Sequence, residues 1–223
     1  MATTITVQGS HTVWIDAERA TLQVSAAFDG PEREDVFARA TTAAATVSDI
    51  IAPLVDAGAG PVTWWTSDRV NVWSERPWNT EGARLPLVYH AAIGVRAEFR
   101  DVDALSRVVE QLAVLDGISI GQIEWDLTDE RRRSVTDEVR AAAVADAVHK
   151  AAGYAAAAGV GSPAVVALAD PGMLGDAPSD SSAPSMERTA FRAAMDAGGG
   201  APLTLTPERI QVTASVDVRF VSA

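Results

Sequence analysis

The chain holds three histidines, His11, His90 and His149, and acid–base or metal chemistry would have to start from them. A metal site needs ligands converging within about 2 Å of one ion. No His-x-x-x-His pair or comparable spacing promises that. Asp146 and His149 stand three residues apart on one predicted helix and could form a carboxylate–imidazole pair, although a partly exposed polar face accounts for the same spacing. A serine nucleophile would lack its Gly-x-Ser-x-Gly elbow. Gly198-Gly199-Gly200 lacks the lysine and following helix of a phosphate loop and reads as a flexible linker. Cysteine is absent, which removes thiol catalysis, thiolate metal sites and disulfides together. The acidic clusters Glu32–Asp35 and Asp126–Glu130 could draw a cation, but helix starts favour carboxylates in any case. The prediction is a protein that is not an enzyme, with no catalytic set, no cofactor and no metal site.

The residues that do stand out are aromatic. Val62–Trp78 (VTWWTSDRVNVWSERPW) contains four of the six tryptophans: Trp64, Trp65, Trp73 and Trp78. On a strand, Trp64 and Trp65 point to opposite faces, so one core cannot take both. The same parity sets Val70 and Val72 on one side and Trp73 on the other, while Trp78 follows Pro77 in a connection. At least one or two rings are therefore expected outside the core of a single chain. A buried indole removes roughly 200 Å² from water, and several left wet would make a patch of the size that marks an interface. Three uses remain open: a contact between subunits, packing beneath a long loop at 170–203, or a platform for a carbohydrate or other ligand.

The elements that must position these rings can be read from periodicity. Ile5, Val7, Val13 and Ile15 alternate around an expected Gly9-Ser10 turn, and Leu22, Val24 and Ala26 repeat the alternation up to Asp29-Gly30-Pro31. A long amphipathic helix follows, running to Gly58. Residues 62–75 and 87–99 read as two strands of an irregular, Trp-rich hairpin. Asp101 caps a second helix that ends at Gly117, and a strand follows over 118–127. Thr136–Ala158 is the clearest helix, alanine-rich and stopped by Gly159; such a helix suits flat, close packing on a sheet. A strand at 164–168 precedes the 170–203 loop, which carries a short helix at Met186–Ala197. The last strand, Ile210–Phe220, alternates strictly and is expected to be antiparallel with one buried face. The order β-β-α-β-β-α-β-α-β-β predicts an α+β fold: two β-rich halves of antiparallel sheet, with long helices packed on one face. Residues 4–221 form one domain, open to division into pseudo-repeated halves at 4–86 and 87–221.

Length and charge narrow the partners. At 223 residues with 48% apolar and 22% charged residues, the chain can build a core without staples. A net charge of -12 opposes a nucleic-acid partner. The one basic run, Arg131-Arg132-Arg133, is flanked by acids and reads as a solvated helix start. No window is apolar enough to span a membrane. The N-terminus enters a strand-like alternation with no signal peptide, so the sequence as written reads as cytoplasmic, and as periplasmic or secreted if a leader has been removed.

Three stretches carry a resemblance to a known family. Ile5-Thr6-Val7-Gln8-Gly9-Ser10 looks like its first strand and turn. Asp126-Leu127-Thr128-Asp129, then Arg140–Ala147, Lys150-Ala151 and Tyr154-Ala155 closed by Gly159, resembles its signature helix. Thr206-Pro207-Glu208, leading into the final strand, matches its closing hairpin partner. In this order they resemble the SIMPL-domain (DUF541) family, from about residue 4 to 221. The resemblance implies a bacterial protein that self-assembles as a homo-oligomer, ring- or channel-like in at least one member, with links to envelope or stress functions. It implies no catalytic residues. The alternative is binding of a small ligand or glycan, itself unknown, through the Trp-rich 62–78 segment.

Overall fold

The computed structural model describes residues 2–78, 84–175 and 203–222. The elements are β1 (Thr3–Asp16), β2 (Arg19–Gly30), α1 (Arg33–Ile51), β3 (Val62–Glu75), β4 (Val88–Phe99), α2 (Val102–Ala113), β5 (Ile118–Asp126), α3 (Asp129–Ala158), β6 (Ala164–Ala169) and β7 (Arg209–Ser222). The fold is α+β with two antiparallel sheets, and the order of elements is the predicted one. Most of the 170–203 loop, including the helix expected at Met186–Ala197, lies outside the described residues.

The chain divides into two compact units that interleave in sequence. The larger contains Ala17–Asp126 together with Leu203–Glu208, and its sheet runs β3-β4-β2-β5. Alternation puts Ala20, Leu22, Val24 and Ala26 of β2 and Ala91, Ile93, Val95, Ala97 and Phe99 of β4 into the core. Both helices cover that face. Helix α1 contributes Val36, Ala40, Ala44, Val47 and Ile51, and α2 contributes Leu105, Val108, Val109 and Leu112. As expected, Asp101 caps α2, its carboxylate accepting from the backbone N–H groups of Asp103 and Ala104.

The other unit pairs β1 with β7 along their whole length, Thr3 opposite Ser222 through to Asp16 opposite Arg209, with β6 on the far side of β7. Helix α3 starts at Asp129, seven residues before the expected Thr136, because Thr128 supplies a cap: its hydroxyl accepts from the Arg131 N–H. The arginine run is thus the first turn of the helix. Gly159 stops it with φ 68, the left-handed region that glycine enters without strain. The buried residues of α3 are Val135, Val139, Ala143, Ala147, Ala151 and Ala155, one every four positions. Such a row is inclined to the helix axis, which lets it follow a twisted sheet.

The turn expected at Gly9-Ser10 does not form; β1 runs straight through it. Gly9 is there for another reason. A Cβ on it would sit 2.0 Å from the Ala143 carbonyl oxygen and 2.7 Å from the Ala147 nitrogen, so helix and strand backbones touch at this point. Alanine on the helix and glycine on the strand are complementary halves of one close approach. Two substitutions separate this packing from simple propensity. Gly9→Ala should destabilise by about 3 kcal/mol, the upper range for forced overpacking. Gly153→Ala, in mid-helix with nothing within 4 Å of the added methyl, should stabilise by about 0.8 kcal/mol. Urea unfolding of the two variants checks both signs.

Candidate functional site

His11 lies exposed on β1 and His149 exposed on α3, whereas His90 belongs to the other unit, on β4. Asp146 is paired with Lys150, Nζ to Oδ2 2.6 Å, and accepts the Ser10 N–H at 2.9 Å; no hydrogen bond joins it to His149. Lys150 also donates to the Gln8 carbonyl at 3.0 Å. These bonds flank Gly9, so the polar groups beside the close approach fix helix to strand. Among the described residues no group of three or more histidines and carboxylates is placed to hold a metal ion.

The aromatic candidates belong to β3, the edge of the four-stranded sheet. Bulges at Thr63 and Asp68 shift its register against β4. Opposite Ala97, Trp65 turns inward and packs against the core of α2 and β4. Trp64 turns outward opposite Glu98 and is 39% exposed. The Glu98 carboxylate is held by the Thr63 hydroxyl and by Arg19 at 3.4 Å. Trp73 stacks on His90, ring centroids 5.0 Å apart and planes 10° from parallel, and is still 46% exposed. His90 Nε2 is buried without a hydrogen bond, 3.6 Å from Glu75 Oε1. Trp78, past the end of β3, is 85% exposed.

The parity read from the sequence therefore holds at Trp64 and Trp65, and at Val72, which packs inward beside Ala91 and Ile93. Val70 is paired with the buried Ile93, on the same side as Val72, yet is 59% exposed because the helices do not reach over it. Apolar surface is thus open on both faces of the edge strand. The proposed packing of the rings beneath the 170–203 loop falls largely on residues outside the described set. One exposed indole escaped the sequence reading. Trp14 on β1 is 47% exposed, and its position between Val13 and Ile15 was signal enough, since alternation turns it away from them.

The SIMPL family, described as a protein of unknown function (DUF541), matches residues 5–220. No curated protein matches the chain. No helix among the described residues is long and apolar enough to cross a membrane.

The two kinds of contact respond differently to mutation. Trp65→Ala removes a ring from a core and should cost about 2 kcal/mol, below the full-burial range because the ring is only partly enclosed. Trp73→Ala should cost less than about 1 kcal/mol of monomer stability. Thermal unfolding at low protein concentration compares them. A second check concerns Asp146, whose carboxyl is held below its ordinary value of 3.8, first by the hydrogen bond from Lys150 and then by the Ser10 N–H. A lowered carboxylate stabilises the fold above its unfolded value and loses that effect as pH falls through the folded one. Wild type should therefore exceed Asp146→Asn in stability above about pH 5, with the gap closing as the pH drops below 3.8. Denaturant midpoints measured from neutral pH to pH 3 read this out.

Proposed function

We propose that this chain, which belongs to the SIMPL family, is a non-catalytic protein that assembles with copies of itself through the β3 edge, in a ring- or channel-like homo-oligomer serving an envelope or stress role. The observation that carries this reading is the exposure of Trp64, Val70 and Trp73 along an edge strand paired with β4 on one side, and of Trp78 three residues past its end. An edge strand offers unpaired backbone groups to another chain. Tryptophan supplies the large desolvated area typical of binding hot spots. The two bulges divide β3 and disfavour indefinite strand addition along its full length. Residues 69–75 remain regular, long enough for local pairing in a closed assembly. The reading without catalysis rests on the immediate surroundings of His90, a tryptophan face and one carboxylate.

A second reading uses the same strand as a platform for a glycan or other small ligand. What favours it is the Trp73–His90 stack, a flat aromatic surface left half open. Trp65 takes no part in either use, being turned inward.

Light scattering at micromolar concentration tests the first reading. Wild type is expected to run as a defined oligomer, and Trp73→Ala with Trp78→Ala to weaken association at least about a hundredfold. A wild-type monomer, or an unchanged mass in the double variant, sinks the interface. Tryptophan emission titrated with neutral sugars tests the second, where a shift is expected in wild type and none in Trp73→Ala.

A further inference from the structure

Trp64 and Trp73 are nine positions apart, and strict alternation would turn their rings to opposite faces of β3. The bulge between Ser67 and Arg69 inserts one residue and cancels that difference. Trp73 stands opposite His90 and Trp64 opposite Glu98, so both half-exposed rings lie on the sheet face turned away from α1 and α2. Between them that face dips. Gly94 on β4 and Gly121 on β5 have no side chains, and a hollow of about 400 Å³ lies over them. That is within the usual range for small-molecule pockets. Gly94 is four positions from His90 and four from Glu98, which puts the hollow midway between two indoles about 26 Å apart.

Charge does not select the ligand here. Arg69 and Arg96 border the hollow, whereas Glu98 faces Trp64 and Glu75 lies two residues beyond Trp73. Mixed signs on a chain of net charge -12 give neither an anion nor a cation a continuous path. The neutral groups around the hollow are Gln23, Ser25, Asn71 and Ser119, amides and hydroxyls that both donate and accept. Gln23 is held in place, its Nε2 donating to Glu124 Oε1 at 3.0 Å. A peptide strand finds no edge on this face, because β2 and β4 are interior strands with neighbours on both sides. A chain of sugars fits both features. Its flat apolar faces stack on the indoles, and its hydroxyls meet groups able to donate and accept.

We propose that this outer sheet face binds a linear, uncharged oligosaccharide that reaches from Trp64 to Trp73, with a central sugar seated over Gly94. It rests on the platform reading given above, and adds to it the second indole, the hollow and a ligand of defined length. Every residue of the site belongs to one unit of one chain.

Calorimetric titration with cellopentaose, N-acetylchitopentaose and cellobiose tests it. At least one pentasaccharide should bind with a dissociation constant at or below about 1 mM, and cellobiose at least about tenfold more weakly, since it cannot reach both rings. Trp64 and Asn71 are exposed residues of an edge strand. Trp64→Ala should therefore keep its far-ultraviolet circular dichroism while losing about tenfold or more in affinity for the pentasaccharide, as should Trp73→Ala. Asn71→Ala should weaken binding about fivefold. Chemical-shift changes on titration should include Ser25, Asn71 and Gly94 together with the indole signals of Trp64 and Trp73. Sugar binding that needs Trp73 but is unchanged in Trp64→Ala, or that is as tight for cellobiose as for the pentasaccharides, overturns this proposal and leaves the platform reading standing. Failure of all three sugars to bind folded wild type removes both.

Discussion

The alternation of side chains along β2 and β4 is the constraint from which the larger unit follows. These two strands are the interior of the four-stranded sheet, so each residue on them is assigned to one of two environments with no third choice. Leu22, Val24, Val95 and Phe99 fall to the helix side and are buried. Gln23, Ser25, Gly94 and Arg96 fall to the other and line a polar hollow. A one-residue slip between the strands would exchange these sets, burying a guanidinium and exposing a phenyl ring. The register is therefore held by the cost of desolvating charge as much as by the gain from apolar burial. Strand β3 inherits the same parity but lies at the edge, where helix cover runs out, and that is why its inward Val70 and outward Trp73 are both wet.

The smaller unit obeys a different rule. Its contact between α3 and β1 is built by removing atoms, with alanines on the helix facing glycine on the strand. Each alanine buries little area, so the apolar gain per residue is modest. Closeness compensates: backbone-to-backbone contact brings the Asp146 and Lys150 side chains within reach of the Ser10 N–H and Gln8 carbonyl. A strand at a sheet edge thereby has two of its polar backbone groups bonded to the helix that covers it.

Much of this was legible from the sequence because periodicity reports environment directly. The limits 62–75 for β3, the stop at Gly159 and the cap at Asp101 all follow from local chemistry, and the structure places them there. Two local readings failed for one shared reason. Gly9 looks like a turn and Thr136 like a helix start when judged by neighbours in sequence. Their surroundings are set instead by Ala143 across the sheet and by the cap at Thr128. The hollow on the outer sheet face was not legible at all. Its polar residues come from four strands, and only the ladder register brings Arg69 beside Gly94. Trp14 could have been found by the parity applied to Trp64, but it stands alone and attracts no notice in a count of aromatic clusters.

The ladder between the first and last strands sets the order in which the molecule can be made. Thr3 pairs with Ser222, so β1 has its neighbour only when nearly every other residue has left the ribosome. The larger unit draws most of its sheet and both its helices from one continuous stretch, and these can gather as soon as Asp126 has emerged. Until β7 has emerged, β1 lacks its ladder partner and the alanine face of α3 lacks the cover that Val216, Val218 and Phe220 supply. Loop closure between the two chain ends makes this sheet the slow, late step of folding. The fourteen residues of β7 act as the bolt that shuts it.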